Sequence, residues 1–157
     1  PPRSTLFPYT TLFRSVAPAP VGTPRRTVLG ADYNRVCLLL AVLEKRAGVP
    51  LGSQDVFVNV AGGARVTEPA ADLGIVVAAA SSYMDRPVPS DVLVVGEVGL
   101  TGEVRAVAGL ELRLREAAAL GFRRAIVPQS NVLEPPKTSL DVRGVATVGD
   151  ALTILLG

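Results

Sequence analysis

Histidine and tryptophan are absent from this chain of 157 residues, and cysteine and methionine occur once each. Without histidine there is no Ser-His or Cys-His catalytic pair, and the commonest metal ligand is missing. The single Cys37 excludes an internal disulfide framework and suits a reducing compartment. Aromatic residues are scarce, with Phe 4 and Tyr 3, too few for a platform that stacks nucleic-acid bases. The longest apolar run, Val36 to Leu43, falls far short of the roughly 18 residues of a membrane span. Lysine is limited to Lys45 and Lys137, so nearly all the positive charge is arginine.

The opening stretch, PPRSTLFPYTTLFRS (Pro1–Ser15), is unlike everything after it. It lacks the continuous apolar stretch of about 7–15 residues that a secretory signal needs, and it fits a transit peptide only loosely. One reading frame of a common sequencing-library adapter translates to it residue for residue. Residues 1–15 are therefore expected to be a translated-adapter artefact, not native, and are set aside from fold reasoning. The remaining residues then read as a gene fragment, with a shortened leading strand or loop at 16–30 and one domain at 31–157. All 14 acidic residues lie after Ser15. Setting Arg3 and Arg14 aside leaves as many cations as carboxylates, so the basic pI is no argument for a nucleic-acid partner.

The rest of the chain alternates between helix and strand patterns. Residues 16–30 are broken by Pro and Gly and read as extended or looped. Asp32 is placed to cap a helix with Val36, Leu39, Leu40 and Leu43 on one face, stopped by Gly48. DVFVNVAGG (55–63) alternates as a strand, and RVT after it reads as a possible short second one. A second helix runs over 68–85, with Pro69 in its first turn. VLVVGEV and GEVRAV read as strands joined at Gly99–Gly102 in a hairpin. A third helix carries Leu110, Leu114 and Ala118 and ends at Gly121. RRAIVP and VRGVATV read as strands, and GDALTILL as a last helix. The expected class is α/β, helices packed on a mixed sheet.

Seven segments occur in order: DYNR (32–35), LAVLEKRAG (40–48), QDVFVNVAGG (54–63), EPAADL (68–73), RPVP (86–89), GEVGLTGEVR (96–105) and EAAALGFRRAIVP (116–128). Together they resemble the proteolytic domain of Lon proteases. They resemble still more closely the Lon-like C-terminal domain of the RadA (Sms) family, bacterial ATPases of recombination and DNA repair. The resemblance implies the Lon proteolytic-domain fold, which is ribosomal-protein domain-2-like. It implies a cytoplasmic, non-membrane homo-hexamer that moves on DNA. It also implies ATP with Mg²⁺, and zinc, in upstream domains that this sequence does not contain, and no cofactor or metal in the fragment itself.

Lon chemistry is a Ser-Lys dyad, in which a desolvated neutral lysine takes the proton of the serine nucleophile. The resemblance puts the place of the serine between Pro69 and Ala71, at Ala70, and that of the lysine after Gly109-Leu110, at Glu111. A methyl group cannot attack a carbonyl, so both halves of the dyad are missing and no catalytic residue is expected. Ser81 and Ser82 lie roughly 15 Å down the helix at about 1.5 Å per residue, and Lys45 reads as solvated. Glu111 reads as an exposed partner of Arg115.

Six arginines, Arg25, Arg26, Arg35, Arg105, Arg123 and Arg124, are candidates for a phosphate-contacting surface; the simpler reading makes them ordinary surface cations. AGG (61–63) lacks the Gly-Lys-Ser/Thr of a phosphate loop and reads as a turn. The expected function is thus a non-proteolytic Lon-like domain serving hexamer assembly and DNA contact in a RadA-type ATPase. The rival readings are an active Ser-Lys peptidase and a purely structural oligomerisation module.

Overall fold

The computed structural model describes residues 12–18, 22–60 and 65–157. The turn read at 61–63 and most of the opening stretch lie outside them. Among the described residues eight strands and four helices run in the order β1 (Leu12–Pro18), β2 (Arg26–Leu29), α1 (Tyr33–Ala47), β3 (Gln54–Val60), α2 (Asp72–Met84), β4 (Val92–Val94), β5 (Glu97–Val98), β6 (Val104–Arg105), α3 (Leu110–Ala119), β7 (Arg124–Pro128), β8 (Asp141–Val145) and α4 (Val148–Leu156).

The α/β class holds, but the strands divide into three sheets instead of one. The first has the order β1-β3-β2, with β1 antiparallel and β2 parallel to β3. The second, β4-β7-β8, is wholly parallel, and β5-β6 is an antiparallel hairpin. Leu12 pairs with Val60 and Ser15 with Phe57. Residues set aside from fold reasoning therefore carry the first half of β1.

Local chemistry accounts for the helix limits. The Asp32 carboxylate accepts from the Arg35 backbone N–H at 2.7 Å, and Gly48 closes α1 in the left-handed region. A 3-10 turn over Pro69–Ala71 precedes α2, so the helix expected from residue 68 starts a turn later. At α4, Thr147 and Asp150 form a reciprocal capping box, with bonds of 3.0 and 3.1 Å.

The core centres on α2, buried from Asp72 to Ser81. A helix apolar on nearly every side must be covered on every side. It packs against α1, α4, β1 and β5. Leu73 of α2 itself and Leu39, Leu43, Leu51, Leu93 and Leu114 from other segments of the core are fully buried, each contributing about 1.5–3 kcal/mol of hydrophobic stabilisation.

Two expected strands are shorter than their patterns. VLVVGEV is interrupted because the Gly96 N–H donates to the Ala70 carbonyl at 2.9 Å while its own carbonyl accepts from Leu73 at 3.0 Å. A Cβ at Gly96 would lie 2.7 Å from a Val104 methyl, so the approach requires glycine. RVT contributes only one bridge, Val66 to Ala31.

Candidate functional site

Ala70 lies in the 3-10 turn that starts the α2 segment, with 4% of its surface exposed. Its carbonyl is tied to Gly96, so this turn is fixed against the β4–β5 connection. Glu111 stands exposed in the first turn of α3. It lines a shallow recess with Arg115 and Lys137. Among the described residues no ion pair joins Glu111 to Arg115, which corrects the partnership expected from their spacing. At this surface position the two long side chains gain too little to hold one geometry.

The α3 residue that does reach the Ala70 turn is Arg113. It is 5% exposed. Its Nη2 donates to the carboxylate of Glu68, next to Pro69, and its Nε donates to the Ala108 carbonyl at 3.0 Å. The Nη1 is buried without a hydrogen-bond partner. Sequence reasoning passed over Arg113. The available signal was its place on the apolar stripe Leu110, Leu114, Ala117, where a charge needs a partner. From α3 it is thus a guanidinium, bonded to Glu68 and to the Ala108 carbonyl, that is joined to the segment leading into this turn. A guanidinium carries donors only and offers no acceptor for a hydroxyl proton.

Ser81 and Lys45, the other pair weighed in the sequence, stand apart in surroundings. Ser81 is buried and donates to the Arg86 carbonyl at 2.6 Å, closing the end of α2. Lys45 is exposed in the last turn of α1.

The six candidate arginines occupy separate elements with different surroundings. Arg35 donates from Nε and Nη2 to Asp72, the Nε bond being 3.1 Å, and Nη2 also reaches the Val98 carbonyl at 3.1 Å. The bond to Asp72 raises the Arg35 pKa above its ordinary value. Asp72, 2% exposed, also accepts from the Val98 N–H at 3.0 Å. Arg26 donates to the Gln54 carbonyl and to the Leu51 carbonyl at 2.8 Å, holding β2 against the turn before β3.

Arg105 makes two bonds to Glu103, of 3.0 and 2.6 Å, and lies 3.7 Å from Glu97. Arg124 donates to Asp91 at 2.7 Å and holds that carboxyl below its ordinary range. Arg25 and Arg123 are exposed, and among the described residues no ion pair engages them. Arg35 and Arg105 meet around Glu97, and Arg123 and Arg124 around Asp91. The described residues hold no group of three or more potential metal ligands. No described helix is long and apolar enough to cross a membrane.

Residues 20–131 match the family described as subunit ChlI of Mg-chelatase. The chain belongs to this ChlI family. It is also similar to proteins named DNA repair protein RadA. The relative from Halalkalibacterium halodurans is 51% identical over 144 residues, 90% of this chain and 31% of its own length. The Bacillus subtilis protein is 51% identical over 145 residues, again 90% and 31%. The Escherichia coli protein is 48% identical over 134 residues, 85% of this chain and 29% of its own. The chain therefore spans about a third of the length of these relatives. Their shared name agrees with the resemblance read from the seven segments.

Proposed function

We propose that this chain is the non-proteolytic, Lon-like domain of a RadA-type DNA-repair and recombination ATPase, and that it serves assembly and DNA contact. The observation that carries the reading is the conjunction of about half-identical RadA relatives with a buried alanine, Ala70, in the turn that the resemblance gives to the serine nucleophile. Without that nucleophile neither Glu68 nor Glu111 has a hydroxyl to activate, so on this reading the fold is left to act as scaffold. Chelation of Mg²⁺, suggested by the family description, draws no support from the names of these relatives.

On this reading the fragment is not itself an enzyme. ATP hydrolysis with Mg²⁺, and any zinc, belong to regions of the relatives outside the third that is matched. The working form is a cytoplasmic homo-hexamer. Pro1–Ser15 is adapter-derived on this reading, and the residues after it are the native part of the fragment.

DNA contact on this reading is made to phosphates, since the chain has too few aromatics for base stacking. Arg25 and Arg123 are the cations suited to it, being exposed and outside the ion pairs. The test is DNA binding by the full-length parent with Arg25→Ala and Arg123→Ala combined. Affinity should weaken for all sequences alike, and the salt slope should become shallower by about 0.7–0.9 per lost phosphate contact. Unchanged affinity and slope, with the hexamer intact by light scattering, would exclude these contacts and leave only the scaffold role.

A further inference from the structure

A cleft of about 270 Å³ opens on the face of the parallel sheet beside the last turns of α4. Val92 and Ile126 form its buried floor, Ile154 and Leu155 one wall, and Arg124 and Arg143 stand at its rim. The register sets Arg124 opposite Asp141 and Ile126 opposite Arg143. Strand alternation then turns all four toward the same face. The volume is below the roughly 300–1,000 Å³ of sites for cofactors and other small molecules. It suits an apolar side chain or two.

Two further features define what could enter. β8 is the outer strand of its sheet, and among the described residues no strand pairs with its outer side from Asp141 to Val145. Only past its end does the Ala146 carbonyl accept from Val104, at 2.8 Å. The surroundings are also cationic. Arg86 donates to the Leu156 carbonyl at 2.6 Å, and Arg123 is within the field of Asp91. With Arg124 and Arg143 that makes four guanidinium groups. Among the described residues two carboxylates are paired with them, Asp91 at 2.7 Å from Arg124 and Asp141 at 3.4 Å from Arg143. A nucleic-acid backbone would use the cations and leave the apolar floor unused. A peptide bearing acidic and apolar residues would use both.

We propose that β8 and this cleft dock an extended acidic segment of a partner protein. The segment adds as a strand to the β8 edge, its backbone paired with the outer groups of Asp141–Val145. One apolar side chain fills the space between Ile126 and Ile154, and a carboxylate two residues along, on the same face of the added strand, meets Arg143.

Fluorescence anisotropy tests this with the whole chain and a short labelled peptide that carries leucine and aspartate two residues apart, on one face of an extended strand, with serine and threonine between them. Saturable binding is expected, together with slowed amide exchange along β8. Arg143→Glu and, separately, Ile154→Asp should each weaken binding by about tenfold or more. Both positions are exposed, and circular dichroism checks that each variant is folded. The matching lysine–leucine peptide should fail to bind. The proposal is overturned by any of three results: no saturable binding to the unaltered chain, undiminished binding by both folded variants, or an oligothymidylate binding at the cleft where the acidic peptide does not.

Discussion

Arg35, in the first turn of α1, holds the buried carboxylate of Asp72, in the first turn of α2, through Nε and Nη2 together. The same carboxylate accepts from the Val98 N–H. One guanidinium therefore joins two helices and the β5-β6 hairpin. Asp72 also sits where the positive end of α2 favours a negative charge.

Removing Arg35 should consequently affect folding before it affects any ligand. Arg35→Ala leaves the Asp72 charge buried with one remaining donor. The loss should be about 3 kcal/mol, at the low end for a broken buried pair because the Arg35 side chain is 35% exposed. Urea denaturation measures it, and a loss below about 0.5 kcal/mol would mean that the pair is only a surface contact. A drop in DNA affinity on the same change would report on the fold, so Arg35 is a poor probe of phosphate contact.

The degenerate dyad gives a second expectation. The chain should not be labelled by active-site fluorophosphonates and should not cleave unfolded casein. Ala70→Ser alone should restore neither, because the place that the resemblance gives to the neutral lysine base is held by Glu111. Reproducible peptidase activity in the unaltered chain would overturn the reading of Ala70.

The acid limb of stability offers a third. The Thr101 hydroxyl, its largest influence, together with backbone N–H groups and Arg105, lowers the Glu103 carboxyl to about 2 from its ordinary 4.5. A carboxyl depressed on folding stabilises the folded state above its unfolded pKa and loses that contribution as the pH falls through the folded value. The contribution of Glu103 should thus be complete above about pH 4.5 and decline toward pH 2. Carboxyl-carbon NMR should show Glu103 titrating near 2, and Glu103→Gln should flatten that part of the stability–pH curve. A titration near 4.5 would show that the hairpin contacts do not persist in solution.

How much was legible in the sequence depended on how local its cause was. The limits of α1 were readable because Asp32 and Gly48 act within a few residues of themselves. The interruption after β4 was not, since Gly96 answers to Ala70 and Leu73 across the fold. The roles of the arginines were hidden for the same reason: Arg35 finds Asp72 37 positions away, and Arg113 finds Glu68 across 45. Composition could number the arginines but could not say which ones the fold would tie to its own carboxylates.

The antiparallel pairing of β1 with β3 carries a different lesson. It runs unbroken from Leu12 opposite Val60 to Pro18 opposite Gln54, straight across the boundary at Ser15. A ladder is made of amide and carbonyl groups that almost every residue type supplies alike. On the adapter reading, β3 has accepted a strand that no selection ever shaped. The amino-terminal edge of this domain then behaves as an exchangeable part, open to any strand that can lie straight along β3 and pack on α2. Gene fusions and split-protein designs could join there, with only the α2-facing side of the incoming strand left to match.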